Sequence, residues 1–134
     1  MWKNVEHIGI AVQDIVDSDE LFQRLFGKPP YKKEQVASEN VTTSFFQLGE
    51  TKIELLQGEE DSAIAKFLDK RGPGIHHIAF EVEDIFEEMA RLKKEGFRVL
   101  SDEPKVGADN KLVCFVHPKS ANGVLIELCQ EIIK

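Results

Sequence analysis

Two histidines and two glutamates recur at matching places in the chain. His7 opens the run HIGIAV, and His77 opens the related run HIAFEV 70 positions later. Glu54 and Glu127 each lie at the centre of an Ile-Glu-Leu triplet, 73 positions apart. Two halves related by a pseudo-twofold axis would bring two imidazoles and two carboxylates together. Such a set predicts a divalent-metal site with about two positions left for water or substrate oxygens.

The donor types narrow the metal and its chemistry. Neutral imidazoles and carboxylates suit one divalent ion of Co, Ni, Zn, Mn or Fe, and the set has no thiolate to select copper or an iron–sulfur cluster. Such an ion acts mainly as a Lewis acid that polarises a carbonyl and stabilises an enolate, while a carboxylate at the rim moves a proton. Taken singly, a histidine in an apolar strand is usually structural and a glutamate there usually faces water. The duplication is what favours a metal site.

Strand periodicity predicts where these side chains point. Alternate residues of a β-strand face opposite sides of the sheet. Both histidines and both glutamates therefore point away from the apolar face that the helices cover. The residue two positions after each histidine is small, Gly9 in the first copy and Ala79 in the second. This leaves open space above the sheet, and a sheet curved around the polar face would form a cup.

The two halves share one predicted order of elements, βαβββ. The predicted fold class is α+β, with two tandem βαβββ modules that form one curved mixed sheet around the metal-binding cup and helices on the outer face. We predict a single domain over 1–134, with module 1 at about 1–58, a linker helix at about 59–74 and module 2 at about 75–134. Strands are predicted at about 5–12, 31–37, 41–48, 51–57, 77–82, 98–101, 112–117 and 124–130, and helices at about 14–26, 62–70 and 85–96.

Composition limits the classes of partner. The 134 residues include 17 basic and 24 acidic ones, and the net charge of −7 argues against nucleic acid as a partner. No apolar run approaches the length of a membrane span, and no signal peptide opens the chain, so we expect a cytoplasmic protein that does not bind membranes. Cys114 and Cys129 lie in apolar, strand-like runs without a CxxC pair, which predicts buried reduced thiols.

Two further histidines are rejected as metal ligands. His76 is adjacent to His77, so strand alternation turns it to the other side of the sheet. His117 precedes Pro118 at a predicted strand end, which favours a structural role or a place at the edge of the substrate.

Three segments resemble the vicinal oxygen chelate (glyoxalase/bleomycin-resistance) superfamily, and within it the methylmalonyl-CoA epimerases. They are GIHHIAFEV at 74–82, DEPKVGA at 102–108 and the stretch at 117–128 that begins HPKS and ends GVLIEL. The resemblance covers essentially the whole chain. It implies paired βαβββ modules and a metal held by His7, Glu54, His77 and Glu127.

The resemblance also implies a reaction, the interconversion of (R)- and (S)-methylmalonyl-CoA by proton abstraction through a metal-stabilised enolate. Glu127 is the leading residue for the proton transfer. Some epimerases carry a glutamate on the strand where this chain has Thr43, and Thr43 cannot act as a base. From charge alone, Lys105, Lys111 and Lys119 are candidates to bind the phosphate-rich coenzyme A end of the substrate, and Thr43 is a further candidate substrate contact.

Other members of the superfamily remain as alternatives. Glyoxalase I (lactoylglutathione lyase) also uses a His/Glu/His/Glu set, whereas some epimerases have Gln at the position of Glu54. A glyoxalase commonly has Asp-Pro-Asp-Gly before its final Ile-Glu-Leu, and this chain instead has HPKSANG at 117–123, as in the epimerases. Drug-binding resistance proteins typically lack the four-residue set, and extradiol dioxygenases use two His and one Glu on iron. The family implies a homodimer.

Overall fold

The computed structural model describes residues 1–132, which form eight strands, three α-helices and two short 3₁₀ helices. The strands are β1 (Trp2–Ala11), β2 (Lys32–Val36), β3 (Val41–Leu48), β4 (Thr51–Gly58), β5 (Gly74–Val82), β6 (Lys105–Val106), β7 (Lys111–Val116) and β8 (Ile126–Glu131). The α-helices are α1 (Ile15–Phe26), α2 (Ala63–Arg71) and α3 (Ile85–Lys94), and the 3₁₀ helices are Ala108–Asn110 and Pro118–Ser120. None of the helices in this part of the chain is long and apolar enough to cross a membrane.

Hydrogen bonds join the strands in the order β2-β3-β4-β1-β5-β8-β7-β6. β1 and β4 run parallel, as do β5 and β8, whereas β2–β3, β3–β4, β6–β7 and β7–β8 are antiparallel. The predicted α+β class with one mixed sheet is therefore confirmed. Contacts divide the chain into two compact units, which we name the His7 unit (residues 7–76) and the His77 unit (residues 1–6 and 77 onward).

Each unit has its own apolar core between a helix and the sheet. In the His7 unit, Phe46 and Leu55 are fully buried beside Ile15 of α1. In the His77 unit, Ile85 of α3 and Leu128 of β8 are fully buried in the corresponding cluster. Phe46, Leu55 and Leu128 lie on the strand faces that alternation predicts to be apolar.

The same two side-chain hydrogen-bond contacts occur at the start of α1 and of α3. Asp14 precedes α1, and its Oδ1 accepts hydrogen bonds from the backbone N–H groups of residues 16 and 17; Asp84 precedes α3 and caps residue 87 in the same way. The first backbone N–H of each helix donates to a glutamine side chain of the sheet, 2.7 Å away, from α1 to Gln57 of β4 and from α3 to Gln130 of β8. Each glutamine lies three residues after a candidate metal-binding glutamate, so one strand positions both the helix and the acid.

One predicted strand is wrong. Within the predicted strand at 98–101, the structure has only an isolated bridge between Val99 and Val116, and the short β6 pairs with β7 instead. β6 is formed by Lys105 and Val106. The segment at 98–101 has no continuous alternation of apolar and polar residues, so local pattern could not distinguish a bridge from a strand.

A charged network ties the start of the chain to α3 in the His77 unit. The indole N–H of Trp2 donates to Glu88, and the Arg91 guanidinium also bonds this carboxylate, with Nη2 and Oε1 3.0 Å apart. The hydrogen bond from Arg91, followed by that from Trp2, lowers the pKa of Glu88 against the opposing effect of desolvation. The network therefore stabilises the fold above the ordinary pKa of a glutamate, and this contribution is lost as the pH falls through the lowered value.

Replacement of either capping aspartate should destabilise the protein. We expect Asp14→Ala and Asp84→Ala each to lower the free energy of unfolding by about 1 kcal/mol, because backbone N–H groups at the helix start lose their acceptor. Urea denaturation monitored by circular dichroism measures the effect. Glu20→Ala, an exposed change within α1, is the matched control and should remain within about 0.5 kcal/mol of the wild type. Equal losses for all three variants would contradict the capping role.

Candidate metal centre

The His7 unit contains one buried imidazole–carboxylate pair. His7 Nε2 lies 3.2 Å from Glu54 Oε1, and the two residues are 5% and 4% exposed. The parallel register of β1 and β4 places Gly9 directly beside Glu54. Because Gly9 has no side chain, the glutamate can lean across its position toward the imidazole two residues earlier on the same face.

The His77 unit repeats this arrangement. His77 Nε2 lies 3.1 Å from Glu127 Oε1, and both residues are again buried. The small residue beside the glutamate is now Ala79, in the parallel register of β5 and β8. The Phe115 ring meets the imidazole of His77 edge-on, with the centroids 6.0 Å apart, and restricts its rotation.

These separations suit metal ligation. Two donors bound to one ion at about 2.1 Å are about 3.0 Å apart when the angle at the metal is near 90°, and about 3.4 Å apart in a tetrahedral site. The pairs at 3.1 and 3.2 Å lie within that range. His7, His77 and Glu127 are all buried residues that offer a nitrogen or oxygen ligand. Each unit therefore supplies one imidazole nitrogen and one carboxylate oxygen, and the donor chemistry of both pairs fits a divalent ion.

A phenylalanine opposite each glutamate is a feature that the sequence interpretation missed. Phe45 of β3 pairs with Glu54, and Phe115 of β7 pairs with Glu127, so each ring lies on the same sheet face as its acid. Phe45 is 1% exposed. The recurrence of Phe at an offset of 70 residues, the same offset as the histidines, is the signal that could have revealed it.

The candidate substrate-contact residues occupy different environments. Thr43 is fully buried and lies two residues before Phe45, on the strand face that also carries Glu54. Lys111 is buried at the start of β7, whereas Lys105 in β6 and Lys119 in the second 3₁₀ helix are exposed. The structure thus separates the three lysines that charge alone had grouped.

The two histidines that the sequence analysis rejected as metal ligands both have structural contacts. The His76 ring packs edge-on against Phe67 of α2, with the centroids 5.0 Å apart. His117 Nδ1 accepts a hydrogen bond from the backbone N–H of Lys119 at 3.0 Å and so caps the second 3₁₀ helix. His117 lies in the β7–β8 connection, which is longer than the corresponding β3–β4 turn.

The His77 unit also has an apolar cavity of about 330 Å³ beside α3. Phe80 of β5 and Ile126 of β8 line it, and strand alternation places them on the face opposite to His77 and Glu127. Trp2 and Leu92 form further parts of the wall. The cavity is therefore not the space around the imidazole–carboxylate pair.

Both cysteines are buried free thiols, which confirms the sequence interpretation. Burial, reinforced by the nearby Glu127 carboxylate, raises the pKa of Cys114 to about 12. This thiol is protonated at neutral pH, so it is a packing residue and has little nucleophilic character.

The chain is similar to proteins of known family. Residues 6–115 match the family model of the Glyoxalase/Bleomycin resistance protein/Dioxygenase superfamily. An ethylmalonyl-CoA/methylmalonyl-CoA epimerase of Cereibacter sphaeroides is 45% identical over 129 residues, covering 94% of this chain and 96% of the relative. The crystal structure of methylmalonyl-CoA epimerase from Mycobacterium tuberculosis is 34% identical with a TM-score of 0.92, over 97% of this chain and 89% of that one. A methylmalonyl-CoA epimerase in complex with methylmalonyl-CoA and ammonium is 33% identical with a TM-score of 0.94, over 98% and 96% of the two chains.

Cys114 should react slowly with alkylating reagents in the folded protein. At pH 9, about three quarters of the unfolded-state thiol is ionised, but the folded thiol is almost wholly protonated, so alkylation should be about a hundredfold slower or more. The same shift makes the stability contribution of Cys114 fall as the pH rises from about 9 toward its folded pKa of about 12. Iodoacetamide labelling followed by peptide mass spectrometry measures the rate, with the guanidinium-unfolded chain as control. Equal rates in both states would contradict the burial argument.

Proposed function

Because the chain belongs to the Glyoxalase/Bleomycin resistance protein/Dioxygenase superfamily and, within it, to the methylmalonyl-CoA epimerase family, we propose that it interconverts (R)- and (S)-methylmalonyl-CoA. The observation that carries this proposal is the pair of buried imidazole–carboxylate contacts, one in each unit, in a chain 45% identical to an epimerase. The reaction class is isomerisation by removal and return of one proton.

We further propose that His7, Glu54, His77 and Glu127 together hold one divalent metal ion. Each unit supplies a nitrogen and an oxygen donor at ligand spacing, and the absence of thiolate from this donor set favours Co, Ni, Zn, Mn or Fe. When bound, the ion supplies Lewis-acid chemistry that acidifies the C–H beside a thioester carbonyl. Removal of either imidazole would leave a buried carboxylate without its partner.

Glu127 is the proposed proton-transfer residue. Its Oε1 lies 3.1 Å from His77 Nε2, and Phe115 packs edge-on against that imidazole, so the carboxylate has a buried partner that favours one orientation. The carboxylate removes the proton from the carbon between the thioester and the free carboxylate, and return of a proton to the opposite face inverts that centre. Thr43 cannot accept a proton, so Glu54, a bound water or Glu127 itself supplies the second transfer.

We also propose four further features of the protein, which the sequence analysis predicts. They are a single domain over the whole chain, a homodimer, a cytoplasmic location, and contacts to the acyl-CoA substrate from Thr43, Lys105, Lys111 and Lys119. The glyoxalase alternative is not favoured, because the similar proteins reported above are epimerases and not lyases.

Isotope exchange tests the function directly. Metal-loaded protein incubated with methylmalonyl-CoA in deuterated water should introduce deuterium at C2 and invert its configuration, because a solvent-derived deuteron replaces the abstracted proton. Mass spectrometry and chiral analysis of the recovered thioester measure both events. Turnover of the hemithioacetal of methylglyoxal and a thiol, without exchange at C2, would establish a glyoxalase instead.

Three variants separate metal binding from proton transfer. Glu127→Gln should lower kcat by about a hundredfold or more while much of the metal remains bound, because an amide oxygen still ligates but accepts no proton. His77→Ala should lose metal, as measured by elemental analysis, with little change in far-ultraviolet circular dichroism. Glu54→Gln is the matched comparison and should reduce kcat less than Glu127→Gln. If Glu127→Gln loses metal in proportion to turnover, the residue is a ligand only.

A further inference from the structure

Lys111 has a largely buried side chain whose ammonium group has one weak ion pair among the described residues. Its side chain is 9% exposed, and the carboxylate of Glu131 is 3.9 Å from Nζ, beyond hydrogen-bond distance. Glu131 itself is 72% exposed, so water weakens this attraction. Among residues 1–132, the structure records no hydrogen bond from the ammonium group. An ammonium at the end of a largely buried side chain, with one distant and water-screened carboxylate partner, would gain from a closer anionic ligand.

The sheet places Lys111 on the same face as the proposed proton-transfer residue. In the antiparallel pair of β7 and β8, Lys111 lies opposite Glu131, and Phe115 lies opposite Glu127. Glu127 and Glu131 are four residues apart on one strand, which is a separation of about 13 Å at about 3.3 Å per residue. Between these two pairs lie Val113 and Cys129, which are buried and apolar.

The distance of about 13 Å between Glu127 and Glu131 determines which part of an acyl-CoA could contact the Lys111 ammonium. The reacting carbon, the thioester carbonyl and the free carboxylate of methylmalonyl-CoA lie within a few bonds of one another, so none of them can be at Glu127 and at Lys111 together. The phosphate groups lie at the far end of the pantetheine arm, which is long enough to span the distance. They are also the strongest acceptors on the molecule for a lysine ammonium.

We propose that Lys111 binds a phosphate group of the coenzyme A portion and so positions the substrate without taking part in proton transfer. This inference rests on the proposed function for the identity of the substrate. Lys105 and Lys119 are exposed residues, so solvent screens a contact between either ammonium and a phosphate more strongly than at Lys111. Folding has already removed much of the water around the Lys111 side chain, so a phosphate contact there needs less further desolvation. Of the three candidate lysines, Lys111 therefore gives the strongest contact with phosphate.

Calorimetric binding of two probes tests the proposal without turnover. Lys111→Gln should weaken binding of coenzyme A by about tenfold to a hundredfold, the loss of one charged hydrogen bond, and should leave binding of phosphate-free pantetheine unchanged. Lys94→Gln, which removes an exposed charge from α3 in the same unit, is the matched control and should bind both probes as the wild type does. Lys111→Arg keeps the charge and should recover part of the affinity.

The steady-state constants supply a second readout. Lys111→Gln should raise KM for methylmalonyl-CoA and leave kcat nearly unchanged, whereas a purely structural role would lower the thermal midpoint and affect both probes. A change below twofold in coenzyme A binding, or an equal loss for coenzyme A and pantetheine, would overturn the inference. If coenzyme A binding depends on Lys111 but the protein causes no exchange at C2, the phosphate-binding role of Lys111 stands and the epimerase function is rejected. Exchange at C2 that Lys111→Gln leaves unchanged would support the epimerase function and reject the role of Lys111.

Discussion

The parallel register between the histidine strand and the glutamate strand is the constraint on which the site depends. In each unit, the glutamate is directly beside a residue with a minimal side chain, Gly9 for Glu54 and Ala79 for Glu127. A larger residue there would occupy the space through which the carboxylate reaches the imidazole. A slip of one residue would turn the glutamate to the helix side, because side chains alternate between faces.

The same strands also fix the helices, so packing supports the site geometry. Gln57 and Gln130 point to the helix side of β4 and β8 and accept the first backbone N–H of α1 and α3. Helix position, core burial and glutamate register are therefore coupled through one strand in each unit. The apolar core on one face of the sheet keeps the strands in place. The imidazole and carboxylate donors on the other face are therefore held in position, as a preorganised site requires.

Much of the fold could be predicted because the relevant signals are local. Alternating residues identified β3 and β4 closely, and the Asp–Ile starts located α1 and α3. The prediction of a strand at 98–101 was wrong because this segment joins the sheet through one isolated bridge, from Val99 to the remote Val116. Phe45 and Phe115 were missed as site residues because a phenylalanine in an apolar strand looks like core unless its cross-strand partner is known.

The amino-acid sequence by itself determined the duplication, the four candidate ligands and the family resemblance, because these follow from residue types and period. Only the tertiary structure decided which groups meet. The offset between repeats changes from 70 at the histidines to 73 at the glutamates, and the longer β7–β8 connection absorbs the difference, so the strand register is the same in both units. The structure likewise distinguished buried Lys111 from exposed Lys105 and Lys119. Burial and distance are set by pairing between remote segments, which the local pattern does not encode.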